Sequence, residues 1–360
     1  MLSSTSDRVG LRKINILVVD DSAFMRVVIQ NILREHPRIG KIFFARDGAE
    51  AIEQTLQHSP DVVILDVIMP RMDGITALKE IMRKKPTPVL LLSALSRKDI
   101  DKALTDGLEG GAVDFIQKPH RSDQGLKSIR FDLLRRVIDA AKANIGRIQS
   151  FMKARAMRDF RPLGESRILT PRQKVLVFAA STGGPRALDM IFSQLPRITP
   201  PILIVQHMPE GFTESFAHRL NSRSIISVNE ARNRQTLRPS LGLVAPGGKR
   251  HMEVEPGSIR SISLKPGPRV NYVIPSADVT MTTAARAFGK GTLGIILTGM
   301  GKDGVEGARA IQRVGGKVIV EDPRTCVADG MPKAVISAGL ADTHASAESI
   351  PGTIRRLGWL

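Results

Sequence analysis

The feature that most constrains this chain is a repeated rhythm of short apolar run, glycine- or proline-marked turn and helix-like stretch. In the second half, KVLVFAAS ends at Ser181, PILIVQH ends at His207 and LGIILTGMGKD ends at Asp303. Runs of this kind separated by helical sequence specify a parallel α/β sheet. Open parallel sheets bind ligands beyond the carboxyl ends of their strands. A hydroxyl, an imidazole and a carboxylate on that one rim can therefore meet despite their distance in sequence. They are the parts that nucleophilic acyl transfer needs: a weak nucleophile, a base to take its proton and an acid to orient the base. Their chain order is not that of chymotrypsin, subtilisin or the α/β-hydrolases, so the expectation rests on geometry.

Each residue also has a plainer role to set beside this one. Ser181, in FAASTGGPRALD, stands at a strand-to-helix turn where a serine commonly caps the helix. The neighbouring glycines let backbone N–H groups approach a developing oxyanion. No G-x-G-x-x-G fingerprint is present, which weighs against a dinucleotide turn. Among the seven histidines, His207 alone directly follows a strongly apolar run. Asp303, in GMGKDG, has the setting of a turn or capping aspartate. The conjunction carries the weight, because three separate coincidences would be needed to dismiss it.

The first half holds a second constellation. The run INILVV stops at Asp20 and Asp21, DVVILD ends at Asp66, PVLLLS ends at Ser93, and VDFIQK ends at Lys118. Three carboxylates, a hydroxyl and an ammonium thus cap successive strands. Clustered hard oxygens suit magnesium, which takes one or two carboxylates together with water and phosphate oxygens. A lysine beside them pairs with a phosphoryl group as a point charge. The pattern implies a site that accepts phosphate on Asp66.

Helical stretches between these runs give five strand–helix units over residues 14–125, a doubly wound domain. Residues 171–360 form a second α/β unit, and within it 225–273 break into short runs that suggest a β-hairpin insertion near the site. Between the two lies a basic stretch. Residues 121–170 hold 12 Lys or Arg against 5 Asp or Glu, and Leu134, Ile138, Ala141, Ile145, Ile148 and Met152 form a heptad-like stripe. The stripe is expected to pack on one of the domains, with a short dimerising coil as the alternative. Gly146 weakens it. Beyond, RPLGES and LTP read as extended. The chain is expected to divide into 14–135, a basic and partly helical linker at 136–170, and 171–360.

A chain of 360 residues has room for two cores. Its single cysteine, Cys326, excludes an intramolecular disulfide and fits a reducing cytosol. No signal-like or membrane-spanning apolar stretch occurs, so a cytoplasmic protein without membrane insertion is expected. The net charge of +18 admits nucleic acid, anionic lipid or an acidic protein partner, with a solvated basic surface as the plain alternative. One Trp and one Tyr give no base-stacking platform, and the α/β second half shows no helix-turn-helix pattern, so nucleic acid is not expected.

Taken together, VVDDSAFMR, LDVIMPRMDG and Lys118-Pro119 resemble a two-component receiver domain. ASTGGPRAL, QHMPEGFT, LTGMGKDG and CVADGMP resemble the catalytic domain of the chemotaxis protein-glutamate methylesterases. The resemblance covers nearly the whole chain in the family's domain order. It implies a flavodoxin-like receiver followed by a Rossmann-like methylesterase domain with a hairpin insertion. It also implies a serine esterase that removes methyl groups from chemoreceptor glutamates, and in many members deamidates receptor glutamines. Ser181 would be nucleophile, His207 base, Asp303 its orienting acid, and the Thr182 and Met300 segments would line the oxyanion region. In the receiver, a chemotaxis histidine kinase would phosphorylate Asp66, with Asp20, Asp21 and Asp66 holding Mg2+. Ser93 and Lys118 would sense and pair with the phosphate, and no cofactor is implied in the catalytic domain. The partner would be the cytoplasmic domain of methyl-accepting chemoreceptors. Three departures from the family pattern fall at Ala179, at NYVI before Pro275-Ser276, and at Asp329 before Gly330. They sit where substrate selection would, which keeps a non-chemotaxis protein substrate as the alternative.

Overall fold

The apolar runs become strands buried on both faces, which is why they are continuous in sequence and not alternating. The computed structural model describes residues 12–93, 100–101, 103–118, 123–157, 162–164 and 173–360. Its first sheet contains β1 (Ile14–Val19), β2 (Ile39–Ala45), β3 (Val62–Asp66), β4 (Val89–Ser93) and β5 (Asp114–Gln117). Their order is β2-β1-β3-β4-β5, every pair parallel. Helices Ala23–Arg34, Gly48–His58 and Gly74–Lys84 connect the strands, and the side chains of Ser22, Asp47 and Asp73 cap their first turns. The strand order reverses between β1 and β3, so the crevice at their carboxyl ends is the expected ligand position.

The second sheet is larger and also parallel throughout. Its strands are β6 (Val175–Ala180), β7 (Ile202–Gln206), β8 (Ser227–Glu230), β9 (Leu241–Val244), β12 (Thr292–Ile296), β13 (Lys317–Glu321) and β14 (Thr343–Ala345). They lie in the order β14-β13-β12-β6-β7-β9-β8. Both units are thus doubly wound, as the sequence rhythm implies.

The expected hairpin insertion is present but shorter than the stretch 225–273: β10 (Arg250–Glu255) and β11 (Ser261–Pro266) form an antiparallel pair. The earlier part of 225–273 supplies β8 and β9, which extend the main sheet at its edge. Both are only four residues long, and short edge strands leave little periodicity to read.

The basic segment forms two helices, Asp123–Ala140 and Ile145–Met157. The expected division between 135 and 136 falls inside the first. Leu133, Val137, Ala140 and Ile148 are fully buried, and the stripe residues Leu134, Ile138, Ala141, Ile145 and Met152 lie half-buried against the same core. The stripe therefore packs onto the molecule, with its centre one residue earlier than the heptad count in the first helix. A break at 141–144 ends the helical register, and there the Asn144 N–H donates to the Val327 carbonyl at 2.8 Å. RPLGES and LTP lie largely outside the described residues.

One apolar core joins the first sheet to one face of the second, and a separate core lies on the second sheet's other face. Phe115 of β5 lies against Phe212 with ring centroids 6.0 Å apart. Arg186, in helix Gly184–Phe192, donates to the Leu108 carbonyl at 2.7 Å, and Arg223 pairs with Glu109 at 3.1 Å. Across the cleft mouth Arg269 pairs with Asp132 at 3.2 Å, and the Tyr272 ring packs on Phe131 at 5.3 Å. The first unit is thus seated on the rim of the second.

Candidate active site

Sheet register brings Ser181 and His207 together. Ala180 pairs with Gln206 across β6 and β7, so the next residue on each strand is Ser181 on one and His207 on the other. The His207 N–H donates to the Ala180 carbonyl at 3.0 Å, and Gln206 Nε2 donates to the Ser181 carbonyl at 2.9 Å. The turn after Ser181 is tight: Gly183 sits at φ +81°, and a Cβ on Gly184 would fall 2.2 Å from Gln206 Oε1. Glycine at 184 is required by that approach. Thr182 follows Ser181, its carbonyl accepting from Thr298 Oγ1 at 2.9 Å. Met300 is half-buried beside Gly299, where a Cβ would lie 2.7 Å from that of Ser181. Thr182 and Met300 therefore flank the serine.

The third residue is not at a strand end as the run LGIILTGMGKD implies: β12 stops at Ile296, and Asp303 lies on the loop that leads from it to helix Val305–Arg313. Asp303 Oδ2 lies 2.8 Å from His207 Nε2, with both side chains 2% exposed. The same carboxylate accepts from Ser276 Oγ at 2.6 Å and from the N–H groups of Ala277 at 2.7 Å and Asp278 at 3.2 Å. Burial pushes the Asp303 carboxyl up, but the hydrogen bonds and charge of His207, with Ser276 and Ala277, outweigh it and hold the group below the ordinary carboxylate range. Asp303 stays ionised. Among the described residues, Ser181 Oγ and His207 Nδ1 are buried without a hydrogen-bond partner. They are the two atoms that a relay from serine to imidazole has to join.

Sequence reasoning missed Ser276 and Asp278, which surround Asp303. A serine following Pro275 and opening the apolar helix Ala277–Phe288 is a helix-start signal that marks the N-terminus, but it does not place that N-terminus beside Asp303. It also missed Glu321 at the end of β13, whose carboxylate accepts the Thr298 N–H at 2.7 Å; burial pushes that carboxyl up to about 7. Of the departures, Ala179 is fully buried in β6 and Asp329 pairs with Lys333 at 2.7 Å. NYVI belongs to the loop that carries Arg269 and Tyr272 onto helix Asp123–Ala140.

The first sheet gathers its own set. Asp20 and Asp66 are buried, Asp21 is exposed, and one oxygen from each lies within 4.8 Å of the others. Lys118 Nζ reaches Asp66 Oδ2 at 2.6 Å and Asp20 Oδ2 at 2.9 Å. Burial pushes the Asp66 carboxyl up to about 6 against the pull of Lys118, and Asp20 adds to the rise. Burial alone would lower Lys118, but Asp66 and Asp20 reverse that and raise it. Ser93 ends β4, fully buried, and its carbonyl accepts the Lys118 N–H at 2.8 Å. The all-oxygen donor set fits a hard divalent cation.

A cavity of about 410 Å³ is lined by Lys118 of the first site and His207 of the second, together with Arg135, Arg136, Lys249 and Arg269. Arg136 is fully buried; its guanidinium pairs with Asp114 of β5 and donates to the His207 carbonyl at 3.3 Å. Asp114 also accepts from Thr182 Oγ1 at 3.4 Å. One carboxylate of the first unit thus touches the turn that follows Ser181.

Comparison with known proteins gives the same two units. The CheB methylesterase family profile matches residues 176–354, and that of the response regulator receiver domain matches residues 16–130. A protein-glutamate methylesterase/protein-glutamine glutaminase of Pyrococcus horikoshii is 42% identical over 351 residues, covering 95% of this chain and 93% of its own. One of Thermotoga maritima is 40% identical over 344 residues, covering 94% and 97%. The crystal structure of the Thermotoga maritima CheB methylesterase catalytic domain superposes with a TM-score of 0.50 at 43% identity, covering 51% of this chain and 98% of that one.

Proposed function

The chain belongs to the CheB methylesterase family, in the form that carries a response regulator receiver domain, and from that premise we propose a phosphorylation-controlled serine esterase. Its substrates are glutamate methyl esters on chemoreceptors, and it deamidates receptor glutamines at the same site. The observation that carries this is the pair of buried unpartnered atoms, Ser181 Oγ and His207 Nδ1, on adjacent strand ends. With its proton on Nε2, where Asp303 accepts it, His207 presents Nδ1 as a base. It takes the Ser181 proton as Oγ attacks the γ-carbonyl carbon of the ester. The resulting oxyanion is received by backbone N–H groups of the Thr182 and Met300 segments. Collapse breaks the bond to the methoxy oxygen, which leaves as methanol with the proton from His207. Water, deprotonated by His207, then attacks the acyl carbon and frees Ser181. With a glutamine substrate the leaving group is ammonia and the steps are the same.

The receiver supplies the control. Asp66 accepts phosphate from a chemotaxis histidine kinase; Asp20, Asp21 and Asp66 would hold Mg2+, which would supply positive charge beside the phosphoryl oxygens. Lys118 pairs with the phosphate and Ser93 responds to it. On this reading residues 14–135 are the receiver, 171–360 the esterase, and 136–170 the linker between them. Asp114, Arg136 and the Arg269 loop hold the unphosphorylated receiver over the catalytic rim.

Methanol release from methyl-labelled chemoreceptor tests the assignment. Ser181→Ala should abolish it, a loss of several orders of magnitude being typical of a triad nucleophile. His207→Ala should be nearly as severe, and the double variant little worse than either. Losses that multiply would refute a single catalytic unit.

A further inference from the structure

Two carboxylates stand at this site, and each caps the helix that carries or follows the other. Helix Ala277–Phe288 begins at Ser276, whose hydroxyl does not cap its own helix but donates to Asp303. The first N–H groups of that helix, Ala277 and Asp278, also donate to Asp303. In return, helix Val305–Arg313 begins at Gly304, which has no side chain to cap with. Asp278 Oδ1 supplies the cap, accepting from Gly304 N–H at 2.9 Å and Gly307 N–H at 2.8 Å. Four orphan donors at two helix starts are thereby satisfied crosswise, and each carboxylate faces a positive helix end. Gly307 permits the approach: a Cβ there would fall 2.6 Å from that of Met281.

Asp278 is itself anchored. Its second oxygen accepts from Asn271 Nδ2 at 2.6 Å, and Asn271 sits at φ +50°, a conformation that asparagine tolerates better than most residues. The residue after Asp303 is Gly304, so the backbone that aims the Asp303 carboxylate is held in place by Asp278. Burial, with the charge of Asp303 next, raises the Asp278 carboxyl to about 6 while Asp303 is held low, so a proton taken up by the pair goes to Asp278 and not to the residue facing His207.

We propose that Asp278, held by Asn271, is a positioning residue for the hydrolysis, fixing the Gly304 turn so that Asp303 keeps His207 Nδ1 directed at Ser181. This rests on the reading of Ser181, His207 and Asp303 as one triad. Asp278 touches no reacting atom; it acts through Asp303.

The test uses the full chain and separates kcat from KM. Asp278→Ala should lower kcat for methyl ester hydrolysis by roughly 10- to 100-fold, the scale on which a displaced catalytic group acts, with KM little changed. Asp278→Asn, which keeps an acceptor for the two glycine N–H groups, should recover most of that loss. Asp278→Ala added to Asp303→Asn should be no slower than Asp303→Asn alone. Losses that multiply, or a change in KM with kcat intact, overturn the proposal. If Asp278→Ala does not fold, Asn271→Ala takes its place in the cycle, and an unaltered kcat there overturns the proposal too. A second readout needs no turnover: in a Ser181→Ala background with isotope-labelled histidine, the Asp303-bound imidazole N–H proton of His207 should be sharp, and broadened by Asp278→Ala. A signal unchanged by Asp278→Ala counts against positioning. A parent protein without Ser181-dependent esterase activity counts only against the function proposed above.

Discussion

Asp66 shows how one side chain is prepared for a task by its surroundings. Burial raises its carboxyl to about 6, while Lys118 at 2.6 Å opposes the rise. Only the carboxylate form attacks phosphorus, so phosphoryl uptake from a small phosphodonor should fall as pH drops through about 6. A divalent cation on Asp20, Asp21 and Asp66 favours the anion. Adding Mg2+ should therefore move that acid limb to lower pH, and chelation should move it back. An acid limb that does not respond to Mg2+ would remove the metal from this cluster. Asp303 contrasts with Asp66: with as little of it exposed, it is held low chiefly by the hydrogen bond and charge of His207, with Ser276 and Ala277 adding to them. Burial acts on both carboxyls, and the hydrogen bond and charge of His207 decide the difference.

At the scale of the element, helix Asp123–Ala140 decides how the two units are joined. Its charged residues suggest a solvated linker, yet Leu133, Val137 and Ala140 are fully buried and Arg136 is buried between units. Leu133→Ala should destabilise the protein by about 2–5 kcal/mol through lost burial and a residual cavity. Denaturant unfolding measures this, and the midpoint should not depend on protein concentration. A midpoint that rises with concentration would favour the dimerising coil after all. The catalytic turn illustrates the opposite economy of space, since Gly184 leaves no room for a methyl group between Ala180 and Gln206.

On the scale of the whole molecule, the receiver contacts the esterase through β5, the Leu108 turn and the linker helix. Two contacts reach the rim that carries Ser181 and His207 directly: Asp114 to Thr182, and Arg136 to the His207 carbonyl. Residues 171–360 alone should hydrolyse methylated receptor faster than the unphosphorylated full chain. A tenfold difference corresponds to only about 1.4 kcal/mol between docked and released states, within reach of a modest interdomain interface. Phosphodonor should close part of the gap in the full chain and none of it in Asp66→Asn. Equal rates for fragment and full chain, with and without phosphodonor, would dismiss the restraint while leaving the esterase standing.

The sequence by itself determined the two parallel α/β units, the strand-end placement of Ser181, His207, Asp20, Asp66, Ser93 and Lys118, and the packing of the apolar stripe against a core; Asp303 lies on the loop beyond β12 and not at its end. Those features are local: apolar runs set strands, and a residue just past a strand in a parallel sheet has one rim on which to lie. Strands β8 and β9 were not legible because four residues at a sheet edge take their order from the neighbour they pair with. The break at 141–144 escaped a periodicity count because the Asn144–Val327 bond that accompanies it is made to a residue more than 180 positions away. Asp278 and Ser276 remained hidden for the same reason. Their partners are the turn at Asp303 and the N-terminus of another helix, and a cap exchanged between helices leaves no spacing in either sequence. Only the tertiary structure placed those donors and acceptors together, because hydrogen bonds between distant segments depend on where the sheet delivers each strand end and not on the residues beside them.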